Sequence, residues 1–149
     1  MTTIIEQVQI DAPPDRVWAV VKDVERWPDW SPGTRSIERL DAGPFALGSH
    51  AKVTMKGTRG LRWTVTALDE GRSFTWETDM MPGAHIVAEH IIEPRDGGSY
   101  VTLTLITTGL GAAIVSPLLD PFSRRNVKAE AQGLKRLCEA AATPSEAPR

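Results

Sequence analysis

Ser116-Pro-Leu-Leu-Asp-Pro-Phe-Ser-Arg-Arg-Asn-Val-Lys-Ala-Glu-Ala-Gln-Gly-Leu-Lys-Arg-Leu-Cys-Glu-Ala-Ala-Ala142 is the one long helical stretch of the chain. It decides the fold, because everything between residues 34 and 108 reads as strand. At about 100° per residue, Leu119, Val127, Ala131, Leu134, Leu137, Cys138 and Ala141 fall in one sector, and Arg124, Lys128, Gln132, Lys135 and Glu139 fall opposite. A large sheet needs an apolar partner, and this stripe supplies one. Ser123 and Glu130 lie inside the apolar sector and Asn126 at its margin, while Ala129 and Gly133 are small enough to leave room beside the helix. Polar groups on a buried stripe with space next to them predict a cavity.

The rest of the chain fits around that helix. Ile4 to Ile10 alternates and predicts a first strand, with Ile4, Glu6, Val8 and Ile10 on one face. Asp11-Ala-Pro-Pro-Asp15 stops it and opens a short helix from Arg16 to Val24, which Trp27-Pro and Ser31-Pro end. Period-two patterns then predict strands near Thr34 to Leu40, Ser49 to Met55, Leu61 to Leu68, Ser73 to Met80, His85 to Glu93 and Tyr100 to Thr108. Turn-forming residues such as Asp69-Glu-Gly71 and Arg95-Asp-Gly-Gly98 separate them. Short turns between consecutive strands give an antiparallel meander. Leu110 to Leu119 reads as a lid or helical turn before the last helix, and the layout as a whole is α+β.

A length of 149 residues fits one domain, read here as residues 1–142, with 143–149 as a frayed, disordered tail. The net charge of −2 and the absence of a long basic block exclude a footprint for nucleic acid. Cys138 is the single cysteine, which excludes an internal disulfide and points to a reducing, cytoplasmic setting. Met1 to Ile10 lacks the features of a signal peptide, and no apolar run reaches the ~20 residues of a membrane span, so no stable membrane insertion is expected. The pattern leaves the oligomeric state open.

Ala12-Pro-Pro-Asp-Arg-Val-Trp-Ala-Val-Val-Lys-Asp-Val-Glu-Arg-Trp-Pro-Asp-Trp-Ser-Pro32 resembles the opening of polyketide cyclase/dehydrase-like members of the START-related SRPBCC superfamily. So do Glu93-Pro94 before a glycine-containing turn and a Val/Thr-rich strand, and a final amphipathic helix holding Leu134-Lys-Arg-Leu137. The resemblance implies a helix-grip fold, a curved antiparallel sheet wrapped around the C-terminal helix with a ligand cavity between them. It implies no shared catalytic residues, because its relatives range from lipid carriers to aromatase/cyclases.

Candidate site residues follow from which side chains can face that cavity. Trp76 shares a strand face with Phe74, Thr78 and Met80, and Trp63 stands on a neighbouring segment, so their rings can stack on a flat ligand if they face inward, the orientation favoured for Trp76, and form a cross-strand pair if they face outward. Trp18, Trp27 and Trp30 read as structural clamps. His85 and His90, five apart on one strand, point to opposite faces and cannot share a metal; no metal site and no cofactor are expected. Cys138 lies among apolar residues, where a thiol is inert. The expected ligand-binding set is Trp63, Phe74, Trp76, Met80, His90, Asn126 and Glu130, and the expected ligand is a hydrophobic or aromatic small molecule such as a lipid or polyketide. His90 and Glu130 are the acid/base candidates if the pocket catalyses cyclisation or dehydration; the alternative, and the favoured one, is that they pair as a buried structural contact. A third reading is a protein-interaction module with a filled core.

Overall fold

The computed structural model describes residues 1–141, so the tail read at 143–149 lies outside the described residues. Within residues 1–141 the chain runs β1 (Thr2–Ile10), α1 (Pro14–Lys22), a 3-10 helix (Val24–Asp29), β2 (Thr34–Arg39), β3 (His50–Met55), β4 (Leu61–Asp69), β5 (Ser73–Met81), β6 (Ala84–Arg95), β7 (Gly98–Thr108) and α2 (Ala112–Ala141). The strands form one antiparallel sheet in the order β1-β7-β6-β5-β4-β3-β2. β2 to β7 follow each other as a meander, and β1 closes the far edge by pairing Ile4 with Leu105 and Val8 with Val101. Register shifts between Thr34 and Ser36, Val65 and Ala67, and Asp79 and Met81 mark bulges. Bulges increase local bend and twist, and the sheet curves around α2. This is the helix-grip α+β fold.

Two boundaries differ from the sequence reading. α2 begins at Ala112, so most of the predicted lid is its first two turns, with Pro117 and Pro121 inside the helix. Each proline removes one backbone donor, yet the helix passes both. Similarly, Trp27-Pro28 does not end a helix: α1 already stops at Lys22, and Pro28 sits within the 3-10 turn. There the Trp27 indole N–H donates to the Val21 carbonyl at 2.9 Å and the Trp30 amide to the Trp27 carbonyl at 3.0 Å.

The core lies between the concave face and the C-terminal half of α2. Ala131, Leu134 and Cys138 are fully buried, as are Ile10, Val17, Phe74, Ile92 and Val101. Full burial of a large aliphatic or aromatic side chain contributes about 1.5–3 kcal/mol. Leu137, expected in the buried sector, is exposed and faces outward beside Trp30 and Pro32. Gly133 also departs from expectation: the room it leaves is taken by the Trp30 carbonyl, with which any Cβ at 133 would collide. A glycine-to-alanine change in a helix ordinarily gains about 1 kcal/mol. Gly133→Ala is therefore expected to reverse that sign and destabilise by about 1–3 kcal/mol through overpacking, read as a lower midpoint in urea unfolding.

Candidate functional site

A cavity of about 320 Å³ lies between the sheet and the N-terminal half of α2, within the size range of small-molecule sites. Strand alternation builds its apolar wall: Val53 of β3, Trp63 of β4, Trp76 of β5, Ile86 of β6 and Leu105 of β7 all face inward. The Trp63 and Trp76 rings lie 5.6 Å apart, tilted by 41°. α2 contributes Leu119, Phe122, Ser123, Asn126, Val127 and Glu130. Thr58 and Arg59 of the β3–β4 turn are exposed and also line it, so the cavity reaches solvent beside that turn.

Of the residues proposed from sequence, Trp63, Trp76, Met80, His90, Asn126 and Glu130 all line the cavity. Phe74 does not reach it. It is fully buried one layer behind, stacked on the His90 ring at 4.2 Å and packed edge-on against Trp18 and Phe45. Trp27 corrects the structural reading in the other direction: it lines the cavity, 5.5 Å from Trp76 and 5.4 Å from His90. Its place comes from the 3-10 turn, which the sequence pattern did not reveal. Trp18 remains a clamp, its indole N–H donating to the Glu70 carboxylate at 2.8 Å.

His90 and Glu130 face each other at the inner end, with His90 Nε2 4.0 Å from Glu130 Oε2. His90 Nδ1 lies 3.1 Å from the Phe74 carbonyl. A carbonyl only accepts, so Nδ1 carries the proton and the neutral ring presents the Nε2 lone pair toward Glu130. Burial pushes the His90 pKa down to about 4, against the pull of the Phe74 carbonyl. Burial pushes the Glu130 carboxyl up to about 8. Its side chain keeps 16% of its surface accessible, but among the described residues no cation is placed to hold the charged form. At neutral pH a free base and a protonated acid therefore stand 4.0 Å apart, too far for a direct hydrogen bond. A single ligand oxygen fits within reach of both.

The other titratable groups do different work. His85 points to the outer face, its Nε2 on Glu77 and Nδ1 on Asp79, each at 2.7 Å, and the Asp79 and Glu77 carboxylates raise its pKa. His50 is engaged by Asp41. Burial pushes the Cys138 thiol up to about 11. Among the described residues no group of three or more His, Cys, Asp or Glu side chains could hold a metal ion, and no helix is long and apolar enough to cross a membrane.

The sequence profile described as polyketide cyclase/dehydrase and lipid transport matches residues 1–139. The chain belongs to that family. Its fold is similar to the Zhui aromatase/cyclase of Streptomyces sp. R1128, with a TM-score of 0.74 and 20% identity over 97% of each chain. It is similar also to Ara h 8.0201, with a TM-score of 0.75 and 18% identity over 93% of this chain and 98% of that one. A third likeness is to the di-domain aromatase/cyclase StfQ of the steffimycin pathway, with a TM-score of 0.77 and 11% identity, covering 94% of this chain and 51% of that one. At these identities the likeness is one of fold. No curated protein matches the sequence. These matches place the chain in the START-related SRPBCC superfamily.

The His90–Glu130 pair has a measurable consequence for stability. Glu130 holds its proton in the folded state up to about pH 8, whereas the unfolded chain loses it near 4.5, so folding stability falls as pH rises through that window. His90 works oppositely between about 4 and 6.5, where the unfolded chain holds the extra proton and stability rises with pH. Above 6.5 only the Glu130 slope remains of the two. His85, with its raised pKa, adds a slope of the same sign as Glu130, so the difference between parent and variant is the measure. Thermal unfolding followed by circular dichroism should show the parent losing more stability than Glu130→Gln between pH 6.5 and 8.

Proposed function

We propose that the protein binds a flat apolar molecule with oxygens along one edge, its ring face against the tryptophans and its oxygenated edge toward α2. The observation that carries this reading is a stripe of three polar side chains. Ser123, Asn126 and Glu130 all line the cavity, and none has a protein hydrogen-bond partner among the described residues. They span about 10 Å at about 1.5 Å per residue, a length that fits two or three fused rings. An unbranched acyl chain would fill the volume but leave all three unmatched, and each buried polar group without a partner costs about 1–3 kcal/mol. Oxygenated rings satisfy them. The open, apolar-walled cavity also counts against an interaction module with a filled core. A cytoplasmic setting goes with the reading, since the sole cysteine is buried and free.

A second reading, polyketide-type cyclisation and dehydration, rests on the 4.0 Å gap between a neutral imidazole and a protonated carboxyl. His90 Nε2 would remove a proton beside one carbonyl of the substrate. The resulting carbanion would attack a second carbonyl of the same chain, forming a C–C bond, while Glu130 delivers its proton to the new alkoxide. That leaves an imidazolium and a carboxylate. The carboxylate would then take a second proton from the same carbon as the imidazolium protonates the departing hydroxyl, releasing water and returning both residues to neutral. Binding remains the primary reading, because the cavity and its polar stripe call for a ligand whether or not it reacts.

Tryptophan fluorescence with a panel of polyhydroxylated aromatic compounds and of fatty acids separates the ligand classes. Asn126→Ala is expected to weaken binding of the aromatic class about tenfold, the scale of one lost hydrogen bond to a buried group. Binding of fatty acids alone, unchanged in Asn126→Ala, would sink the reading. Turnover is tested separately with polyketide-like substrates on the parent, His90→Ala and Glu130→Gln. Product formation lost in both variants while binding survives supports the second reading, and binding without turnover in all three removes it.

A further inference from the structure

The first turns of α2 carry a large exposed apolar surface that the cavity does not use. Leu110, Ile114 and Leu118 are 94%, 74% and 79% exposed; the i, i+4 spacing of Ile114 and Leu118 puts them on one face of the helix, and Leu110 lies in the turn that leads into it. Met81, at the tip of the β5–β6 hairpin, is 42% exposed. That tip is fixed beside the stripe, because the Gly111 amide donates to the Gly83 carbonyl at 2.6 Å. Gly83 and Gly109 both hold positive φ there, and a Cβ at Gly109 would strike the Gly83 carbonyl. The backbones therefore meet only because both positions are glycine. The patch is also continuous with the cavity, since Leu118 neighbours Phe122 at i+4 and Phe122 lines the cavity wall.

Charge is what identifies the occupant. Arg124, Arg125 and Lys128 follow the stripe on the exposed side of α2, and Lys56 and Arg59 occupy the exposed β3–β4 turn at the mouth. None of the five forms an ion pair among the described residues; Arg59 donates to the Met80 carbonyl at 3.5 Å. Asp120 is the only acidic residue between Leu110 and Ala129, and it is half-buried. A protein of net charge −2 thus presents a cationic collar around an apolar tip at one end. A second copy of the chain would bring cations against cations. Nucleic acid would match the charge but leave the leucines and isoleucine in water.

We propose that this end of the molecule docks reversibly on an anionic lipid surface, with Leu110, Ile114, Leu118 and Met81 in the acyl boundary and the five cations among the headgroups. Amphipathic helices bind interfaces through this combination of apolar insertion and electrostatic attraction, without spanning the bilayer. Docking brings the exposed β3–β4 turn, whose Thr58 and Arg59 line the cavity, to the surface. The inference is independent of which ligand the cavity takes, and its test involves no cavity ligand.

Flotation of the purified protein with phosphatidylcholine vesicles, and with phosphatidylcholine mixed with phosphatidylglycerol, tests it. The parent is expected to float with the anionic vesicles and to be released by salt, which screens exposed charges over about 10 Å at 0.1 M. Ile114→Asp with Leu118→Asp should abolish flotation, and Arg124→Glu with Arg125→Glu should weaken it about tenfold or more. All four positions are exposed, and circular dichroism checks that each variant is folded. No flotation with either vesicle overturns the proposal. So does equal flotation with both that the arginine changes leave untouched, or self-association of the parent that the Ile114 and Leu118 changes dissolve.

Discussion

The close approach of α2 to the Trp30 carbonyl at Gly133 sets where the core ends and the cavity begins. No other residue allows the helix and the 3-10 turn to come so near. C-terminal to that point Leu134 and Cys138 are sealed against the sheet and α1, as is Ala131 just before it. N-terminal to it the helix stands off, because Trp27, brought in by the same 3-10 turn, and Trp76 opposite it hold the space between. The far end of α2 is tied to the β5–β6 hairpin by the Gly111–Gly83 hydrogen bond. A helix pinned at both ends and spaced from the sheet in its first half encloses a cavity as a consequence of packing.

His90 and Glu130 stand at the boundary between these halves, and the boundary explains their charge states. On the packed side, Phe74 covers one face of the imidazole and its carbonyl fixes the tautomer. On the open side, Glu130 looks into a mainly apolar cavity, where burial is what raises its pKa. Desolvation disfavours the charged form of each, so both are neutral where exposed counterparts would both be charged near pH 6. The outer-face His85 shows the converse: between two carboxylates, it is driven toward the charged form. One strand thus carries two histidines with opposite titration, separated only by which face each occupies.

Much of this was legible in the sequence, and what was legible was periodic. The strand alternation grouped Trp76 with Met80 on one face, and the helical wheel put Ser123 and Glu130 in the buried sector with Asn126 at its margin; whether Trp63, Trp76 and His90 face inward the pattern left open, and the structure places all three at the cavity wall. What periodicity could not convey was depth along a face. Phe74 shares its face with Trp76, yet the 3-10 turn and Phe45 cover it and leave Trp76 at the wall. Gly133 looked like space because a small residue is ambiguous: it admits a cavity or a close neighbour, and only tertiary packing decides. Leu110 to Leu119 read as a lid or helical turn, yet from Ala112 onward those residues form the first turns of α2.

Net charge misleads for a related reason. A total of −2 argues against polyanion partners only if charge is evenly spread, and here it is not. Several carboxylates are taken up by neighbours: Glu70 by Lys22 and Trp18, Glu77 and Asp79 by His85, Asp29 by Arg26, Glu139 by Lys135. Pairing of this kind neutralises the acidic side of the balance locally and leaves the unpaired cations of α2 and the β3–β4 turn to dominate their own end. Over a screening length of about 10 Å it is that local surplus, and not the molecular total, that an approaching surface meets. The apolar residues between those cations then select among anionic partners, because only one that offers both charge and an apolar interior matches both halves of the patch.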